Sequence, residues 1–220
     1  MSIAQNLLNL KSSLQPKVTL VAVSKTKPIS DLMEAYNAGQ RIFGENKIQE
    51  MTEKWEAMPK DIAWHMIGHV QTNKVKFMAP FVSLIHGVDS FKLIEEINKQ
   101  AFKNNRIIDC LLQIHIAEEE TKFGLNEDEL QEMVQSAAFQ ELKNIRIVGL
   151  MGMATFTTNQ NQIKKEFTRL QSIFDALIKQ PKVENIELST LSMGMSGDYQ
   201  LAVACGSTMV RIGSSIFGVR

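Results

Sequence analysis

The sequence predicts an α/β protein built as one parallel (β/α)8 barrel, with an additional helix before the first strand. Eight short apolar runs alternate with longer amphipathic segments along the 220 residues. Several runs are apolar almost throughout, as strands are when helices cover a parallel sheet on both faces. The length suits one barrel, which typically takes about 250 residues and can be built with about 200.

Each predicted strand lies in one of these apolar runs. The runs cover residues 18–25, 41–46, 63–68, 83–89, 107–117, 146–155, 186–196 and 208–218. A doubly wound open sheet is the alternative, because misassigning one or two strands is enough to confuse the two folds. No Gly-, Pro- or Ser-rich linker divides the sequence, so we expect one domain over residues 1–220.

Helical periodicity and capping signals predict the helices between the runs. Asn126 with Glu129 three positions later is typical of a capping box, and Ser90 is a predicted N-cap. Ser30 is expected to cap a helix as well. The predicted helices cover residues 2–14, 30–39, 46–57 and 71–79, the segments after Ser90 and Asn126, residues 159–178, and a short segment after Gly197.

Composition narrows the classes of partner. Lys+Arg and Asp+Glu number 24 each, so no net charge attracts the chain to nucleic acid or an anionic membrane. The N-terminus lacks a signal-peptide pattern, and no apolar run approaches the roughly 20 residues of a membrane span. Two cysteines, Cys110 and Cys205, are too few for a disulfide framework and are expected to be buried thiols. We therefore expect a cytoplasmic monomer that binds neither nucleic acid nor membrane.

The first strand ends with a lysine on its predicted inner face. Val21, Val23 and Lys25 alternate along VAVSKTKP, so Lys25 points inward at the barrel mouth if the valines face the interior. A Schiff-base lysine must be a neutral amine, and a second cation at Lys27 favours that form. The alternative, two solvated lysines at a strand end, stays open.

The loops after the last two strands are candidates for binding phosphate, as they often are in such barrels. Gly213 allows close backbone approach to an anion, and Ser214 and Ser215 add hydroxyls. Ser196 and Gly197 precede a short predicted helix, whose start offers free N–H groups. Ordinary turn and capping chemistry is the alternative for each loop.

Two further polar residues lie at strand ends. Arg211 lies just inside the last strand and is either a member of a core ion pair or the partner of a cofactor's ring nitrogen, a role that Asp or Arg fills in pyridoxal 5′-phosphate (PLP) enzymes. Asn46 either hydrogen-bonds a ring substituent or caps the next helix.

The remaining candidates carry less information. His65 and His69 lack a third ligand at recognised spacing, so no metal site is expected. His86 and His115 fall within apolar runs and are interpreted as core residues. Lys122, in ETKFG, is either a cation near the mouth or a solvated loop lysine.

Together these segments resemble the PLP homeostasis protein family, also called the proline synthase co-transcribed family. The matching motifs are AVSKTKP, FGENKIQE, WHMIGHVQTNK, TKFG, GLMGMAT and LSMGMSGDYQLAVACGSTMVRIGSSIFG, in that order from about residue 20 onward. The family is similar to the barrel half of alanine racemase.

The resemblance implies a role for each matching residue. Lys25 matches the lysine that binds PLP covalently, Arg211 the arginine facing the pyridine nitrogen, and Asn46 a ring-proximal asparagine. Ser196, Gly213 and Ser214 match phosphate-binding positions, although many relatives have Thr at the last. Lys122 matches a loop lysine that could receive PLP secondarily.

The implied function is storage, buffering or delivery of PLP, with apo PLP enzymes as possible recipients. The alternative is an amino-acid racemase, which needs a second base on the opposite face of the cofactor. Alanine racemase takes that base from an additional domain, which we do not expect here because the sequence ends with the last strand. Tyr199 is the one candidate for it. A sugar-phosphate enzyme with an aldolase-like Lys25 is the third interpretation.

Overall fold

Eight parallel strands form a closed barrel in the computed structural model, which describes residues 2–119 and 123–218. The strands follow one another around the barrel in chain order, and the first pairs with the last. This arrangement confirms the predicted barrel and excludes the open sheet. The strands are β1 (Thr19–Val23), β2 (Ile42–Glu45), β3 (Ala63–Met66), β4 (Leu84–Val88), β5 (Ile108–Gln113), β6 (Ile145–Met151), β7 (Ile186–Ser192) and β8 (Met209–Ile212).

Helices connect the strands on the outside of the barrel, and one helix precedes β1 as predicted. A short 3₁₀ turn, Thr72–Lys74, leads into the fourth helix. The helices of the described residues are α1 (Ile3–Ser13), α2 (Ile29–Asn37), α3 (Ile48–Ala57), α4 (Val75–Met78), α5 (Phe91–Lys103), α6 (Glu127–Gln135), α7 (Ala137–Gln140), α8 (Gln160–Ile178), α9 (Tyr199–Ala204) and α10 (Ser214–Phe217).

The capping predictions are confirmed at two helices and wrong at a third. Asn126 and Glu129 form a reciprocal capping box at the start of α6, and the Ser90 hydroxyl accepts a hydrogen bond from the Leu93 N–H at 3.4 Å. Helix α2 instead begins after Pro28, and Ser30 lies within its first turn. Proline already holds the φ angle that a helix start requires, so α2 forms without a side-chain cap.

The last apolar run is a strand only in its first half. β8 ends at Ile212, and Gly213 is the N-cap of α10. The expectation that the sequence ends with the last strand is therefore wrong. The two serines after Gly213 begin a helix, since Ser is well tolerated in a first turn and Gly213 ends the strand.

One apolar core lies on each side of the sheet. The barrel interior holds a small cluster of Val21, Leu84, Leu111, Met151 and Met209. The larger cluster fills the layer between the sheet and the helices and includes the neighbours of these residues along the strands. Because side chains alternate along a strand, the interior cluster shows which positions of each strand point into the barrel.

Helix length and the two cysteines can be compared with the expectations from composition. No helix in residues 2–119 and 123–218 is both long and apolar enough to span a bilayer. Both cysteines are free thiols, and burial raises the pKa of the Cys110 thiol. Cys205 is partly exposed, which corrects the expectation of two buried thiols.

Candidate functional site

The six residues predicted to bind a cofactor are associated with four neighbouring strands, β7, β8, β1 and β2. Arg211 lies within β8, and the other five lie beyond the carboxyl ends of these strands. Strand β8 lies beside β7, where the Arg211 N–H donates to the Gly194 carbonyl oxygen at 3.0 Å. It also lies beside β1, where Val21 is in register with Arg211. Because the strands are parallel, their carboxyl ends meet at one end of the barrel. The structure therefore brings these residues to one place.

Lys25 lies two residues beyond the end of β1 and is partly buried. Val21 belongs to the interior cluster, while its neighbours Leu20 and Ala22 belong to the outer one. Alternation along the chain then directs Lys25 toward the interior and Ser24 toward the helices. Thr26 has a φ of 64°, a left-handed conformation that turns the chain immediately after Lys25.

A buried cluster of charges holds the backbone on both sides of Lys25. We call Ser24, Glu45, Glu50 and Lys54 the Lys54 cluster. The Lys54 ammonium donates to Glu45 Oε1 and Glu50 Oε1, both at 2.7 Å, and to the Ser24 carbonyl oxygen at 2.8 Å. Glu50 Oε1 also accepts from the Thr26 N–H at 2.5 Å.

Glu45 is the most deeply buried carboxylate of that cluster. Its side chain is fully buried, and the Ser24 hydroxyl donates to Oε1 at 2.6 Å. Its Oε2 is buried and has no hydrogen-bond partner among the described residues. Burial raises the pKa of Glu45, against the opposing effect of the hydrogen bonds from Lys54 and Ser24.

Arg211 is buried and points into the barrel, since Val21, its partner in register on β1, belongs to the interior cluster. One terminal nitrogen donates to the Ser192 carbonyl oxygen at 2.9 Å and to the Ser192 hydroxyl at 2.6 Å. The other donates to the Gly152 carbonyl oxygen at 3.0 Å. All three acceptors are neutral, so Arg211 is not paired in a core salt bridge among the residues described. Burial lowers the pKa of Arg211 to about 10, and Asp198 opposes this shift.

Two buried histidines continue from Arg211 across the barrel interior. The Ser192 hydroxyl lies 3.2 Å from His86 Nδ1, and His86 Nε2 lies 3.1 Å from His65 Nδ1. Burial lowers the pKa of His65 to about 3. Burial, His65 and Arg211 hold the pKa of His86 well below its ordinary value. We call His65, His86, Ser192 and Arg211 the histidine chain.

The two candidate phosphate loops leave neighbouring strands and present free backbone donors. The N–H groups of Asp198 and Tyr199 both bond the Met195 carbonyl oxygen, which closes a turn around Ser196 and Gly197. Within the described residues, the N–H groups of Ser196 and Gly197 bond no other protein group. Those of Ser214 and Ser215 begin α10 and have no helical acceptor.

Neighbouring groups hold both loops in place. Asp198 accepts a hydrogen bond from the Met195 N–H at 2.6 Å, and burial raises the pKa of this carboxyl. At Gly213 a Cβ atom would lie 3.0 Å from the Val23 carbonyl oxygen. Any side chain at that position would press on the end of β1, the strand that positions Lys25.

Asn46 follows β2 on the face that points into the barrel, since a Cβ at Gly44 would meet Val21 of the interior cluster. The N-cap residue of α3 is Lys47, so Asn46 does not cap that helix. A Cβ at Gly68 would lie 2.5 Å from the Asn46 carbonyl oxygen, and this close packing fixes the backbone of Asn46.

Other candidates from the sequence lie outside this arrangement. Lys27 donates to the carbonyl oxygens of Phe217 and Gly218 at 3.0 and 3.2 Å and so anchors the end of α10. His69 is half exposed and pairs with Asp89, and no metal-binding group of three His, Cys, Asp or Glu side chains occurs among the described residues. Lys122 lies outside the described residues.

The residues that support Lys25 and Arg211 were not predicted from the sequence. Ser192 shares the inward face with Gly194 and Ser196 through simple alternation, so its position could have been predicted. His65 and His86 were interpreted separately, although the strands that carry them, β3 and β4, are neighbours in the barrel. The Lys54–Glu45 pair depends on how α3 docks on the barrel, which no local pattern shows.

The fold class of the chain is shared with alanine racemases. Residues 1–220 match the family model described as alanine racemase, N-terminal domain. Solved alanine racemases have the same barrel: the enzyme from Bartonella henselae is 20% identical with a TM-score of 0.73, over 99% of this chain and 58% of that one.

The chain belongs, within that class, to the pyridoxal phosphate homeostasis protein family. It is 40% identical over 202 residues to the family member of Aquifex aeolicus, covering 91% of this chain and 86% of that protein. It is 38% identical over 208 residues to the member of Escherichia coli K12, covering 93% and 86%. PipY of Synechococcus elongatus PCC7942, solved with PLP bound, is 34% identical with a TM-score of 0.89, covering 99% of this chain and all of PipY.

Proposed function

We propose that the chain binds PLP covalently at Lys25 and stores, buffers or delivers it, with residues 1–220 acting as one PLP-binding domain. The observation that carries the proposal is the convergence of Lys25, Arg211 and two donor loops at one end of the barrel. The family name and the PLP-bound PipY relative support it. PLP would supply an aldehyde, with which a lysine amine forms a carbon–nitrogen double bond with loss of one water.

The residues of the site fit such a ligand. The free N–H groups at Ser196 and Gly197 and at Ser214 and Ser215 suit a phosphate, which accepts hydrogen bonds only. Lys25 stands one strand away from the second of these loops. Asn46, next to Lys25 on the other side, can donate or accept a hydrogen bond at a ring substituent.

Arg211 favours a holding role over catalysis. A guanidinium cannot accept a proton and stays charged, so a pyridine nitrogen facing it accepts a hydrogen bond and remains unprotonated. An unprotonated ring withdraws electrons more weakly than a protonated one. Tyr199, the second base that a racemase would require, packs against the outer core between sheet and helices rather than in the interior cluster.

We propose that the protein acts as a cytoplasmic monomer and passes PLP to apo PLP enzymes. The two free thiols support a reducing compartment. Mixing the PLP-loaded protein with an apo PLP enzyme and timing its reactivation against free PLP separates transfer from simple release. Reactivation faster than free PLP permits would support direct transfer.

Trapping the covalent bond tests the proposal. The protein incubated with PLP should absorb near the boundary of the visible and ultraviolet ranges, and borohydride reduction should abolish that band. Mass spectrometry should then place the label on Lys25 and find none there in Lys25→Ala. Lys47→Ala, which removes an exposed lysine from the same end of the barrel, is the control and should keep the label.

A colourless protein after addition of PLP, or a label mainly on another lysine, would contradict the proposal. Turnover of free amino acids separates it from the racemase alternative. We expect no racemisation of alanine at rates typical of enzymes, about 1–10³ s⁻¹. Such rates would establish the racemase instead.

A further inference from the structure

The histidine chain forms a continuous row of polar contacts through an otherwise apolar part of the barrel. It runs from β3 through β4 and β7 to β8, and its four residues are at most 5% exposed. Leu84, Met151 and Met209 of the interior cluster are in register with His65 or Ser192 on neighbouring strands. Burying four polar groups in such surroundings is costly unless each of them is hydrogen-bonded.

The contacts define one direction for the whole chain. Arg211 can only donate, so the Ser192 oxygen accepts from it. The Ser192 hydrogen then has His86 Nδ1 as its acceptor, and His86 carries its own hydrogen on Nε2 and donates to His65 Nδ1. The reverse direction would leave the buried Ser192 hydrogen without an acceptor, which is unfavourable.

We propose that His86 and His65 are positioning residues for Arg211 and that, through Ser192, they fix how its guanidinium meets the ring nitrogen of bound PLP. This inference rests on the proposed function. Ser192 and Gly152 take three of the five N–H groups of Arg211. The remaining two stay available to a ligand, and the chain determines which edge of the guanidinium carries them.

Neutral histidines suit this role better than a carboxylate would. A carboxylate beside Arg211 would form an ion pair and offset the guanidinium charge that the ligand is to meet. His86 and His65 accept and donate hydrogen bonds while remaining uncharged in their buried surroundings. The chain therefore orients Arg211 without neutralising it.

Three variants and one control test the role of the chain. His86→Phe removes the acceptor for Ser192, and Ser192→Ala cuts the chain beside Arg211 while leaving the histidine pair intact. His86→Asn keeps an amide oxygen near the place of Nδ1 and should rescue the link. Met151→Leu changes the apolar surroundings at nearly constant volume and serves as the control.

The readouts are the Kd for PLP, the ¹⁵N chemical shift of the ring nitrogen in labelled PLP, and the label on Lys25 after borohydride reduction. We expect His86→Phe and Ser192→Ala to weaken PLP binding about tenfold, as loss of a supporting hydrogen bond does at other sites. Both should shift the ring ¹⁵N signal while Lys25 keeps its label. His86→Asn and Met151→Leu should stay close to the wild type.

The outcomes separate this inference from the proposed function. An unchanged Kd and ring ¹⁵N shift in both His86→Phe and Ser192→Ala would overturn the positioning role and leave the PLP site intact. No label on wild-type Lys25 would overturn both. If His86→Phe does not fold, Ser192→Ala decides. In the protein without PLP, ring ¹⁵N shifts that place the His86 hydrogen on Nδ1 would also overturn the inference.

Discussion

The Lys54 cluster and the histidine chain lie on opposite sides of the barrel wall, and both support the same end of the barrel. The histidine chain is inside and combines one guanidinium with neutral acceptors. The Lys54 cluster is outside, between β1, β2 and α3, and places one ammonium between two carboxylates. The two networks support different residues of the proposed site, Arg211 and Lys25.

The difference shows where full charges are tolerated. The carboxylates that fix the backbone beside Lys25 stand behind the barrel wall, where they do not meet a ligand. Inside, the groups that support Arg211 through hydrogen bonds are neutral. Loss of one partner of a buried ion pair strongly destabilises the folded protein. Removal of a neutral hydrogen bond lowers the free energy of unfolding by less. The two networks should therefore respond differently to mutation and to acid.

Lys54→Met should produce the largest loss of stability. It leaves the buried Glu45 carboxylate without its cation, and the expected loss is about 3–5 kcal/mol in the free energy of unfolding. Because Lys54 also holds the Ser24 carbonyl, labelling of Lys25 by PLP and borohydride should be less complete. Chemical denaturation and mass spectrometry measure the two effects.

Lys143→Met is the matched control for this variant. Lys143 pairs with Glu184 at 2.6 Å, but the two side chains are 61% and 80% exposed. Exposed pairs contribute at most about 1 kcal/mol, so the control should change stability little and labelling not at all. Equal losses of stability in the two variants would contradict the contrast between a buried and an exposed pair.

Acid should act on the histidine chain gradually, with a loss of stability that is small for each single pH unit. The unfolded chain binds protons at His65 and His86 below about pH 6.5, whereas the folded chain resists protonation at both. The free energy of unfolding therefore falls with decreasing pH, by about 1.4 kcal/mol per pH unit for each histidine. His65→Leu removes one of these contributions, so its stability should depend less steeply on pH than that of the wild type.

Denaturation series between about pH 6.5 and about pH 4 measure that slope, with Met151→Leu as the control that removes no titratable group. Glu45 contributes with the opposite sign. Because its pKa is raised in the folded protein, that protein binds the proton more readily, and this carboxyl stabilises the fold as the pH falls. Parallel curves for His65→Leu and the wild type would show that His65 is not held neutral by burial.

The apolar runs and the amphipathic segments between them were sufficient to predict the barrel, because both depend on local chain geometry. Alternation along the first run also predicts that Lys25 points inward. The end of the last run was mispredicted because Gly213 and the serines after it form a short helix with little periodicity. Lys54 looks like an ordinary helix lysine in the sequence. Only the docking of α3 against β2 brings it to Glu45 and makes it a buried residue.

The single direction of the histidine chain has a consequence for how its sequence can vary. Arg211 only donates, Ser192 and His86 each accept from one neighbour and donate to the next, and His65 accepts at the end of the chain. A substitution that reverses one link therefore leaves two donors or two acceptors facing each other at the next link. Changes at positions 65, 86, 192 and 211 should therefore be interdependent, and a replacement harmful alone should become acceptable when the adjoining position changes with it.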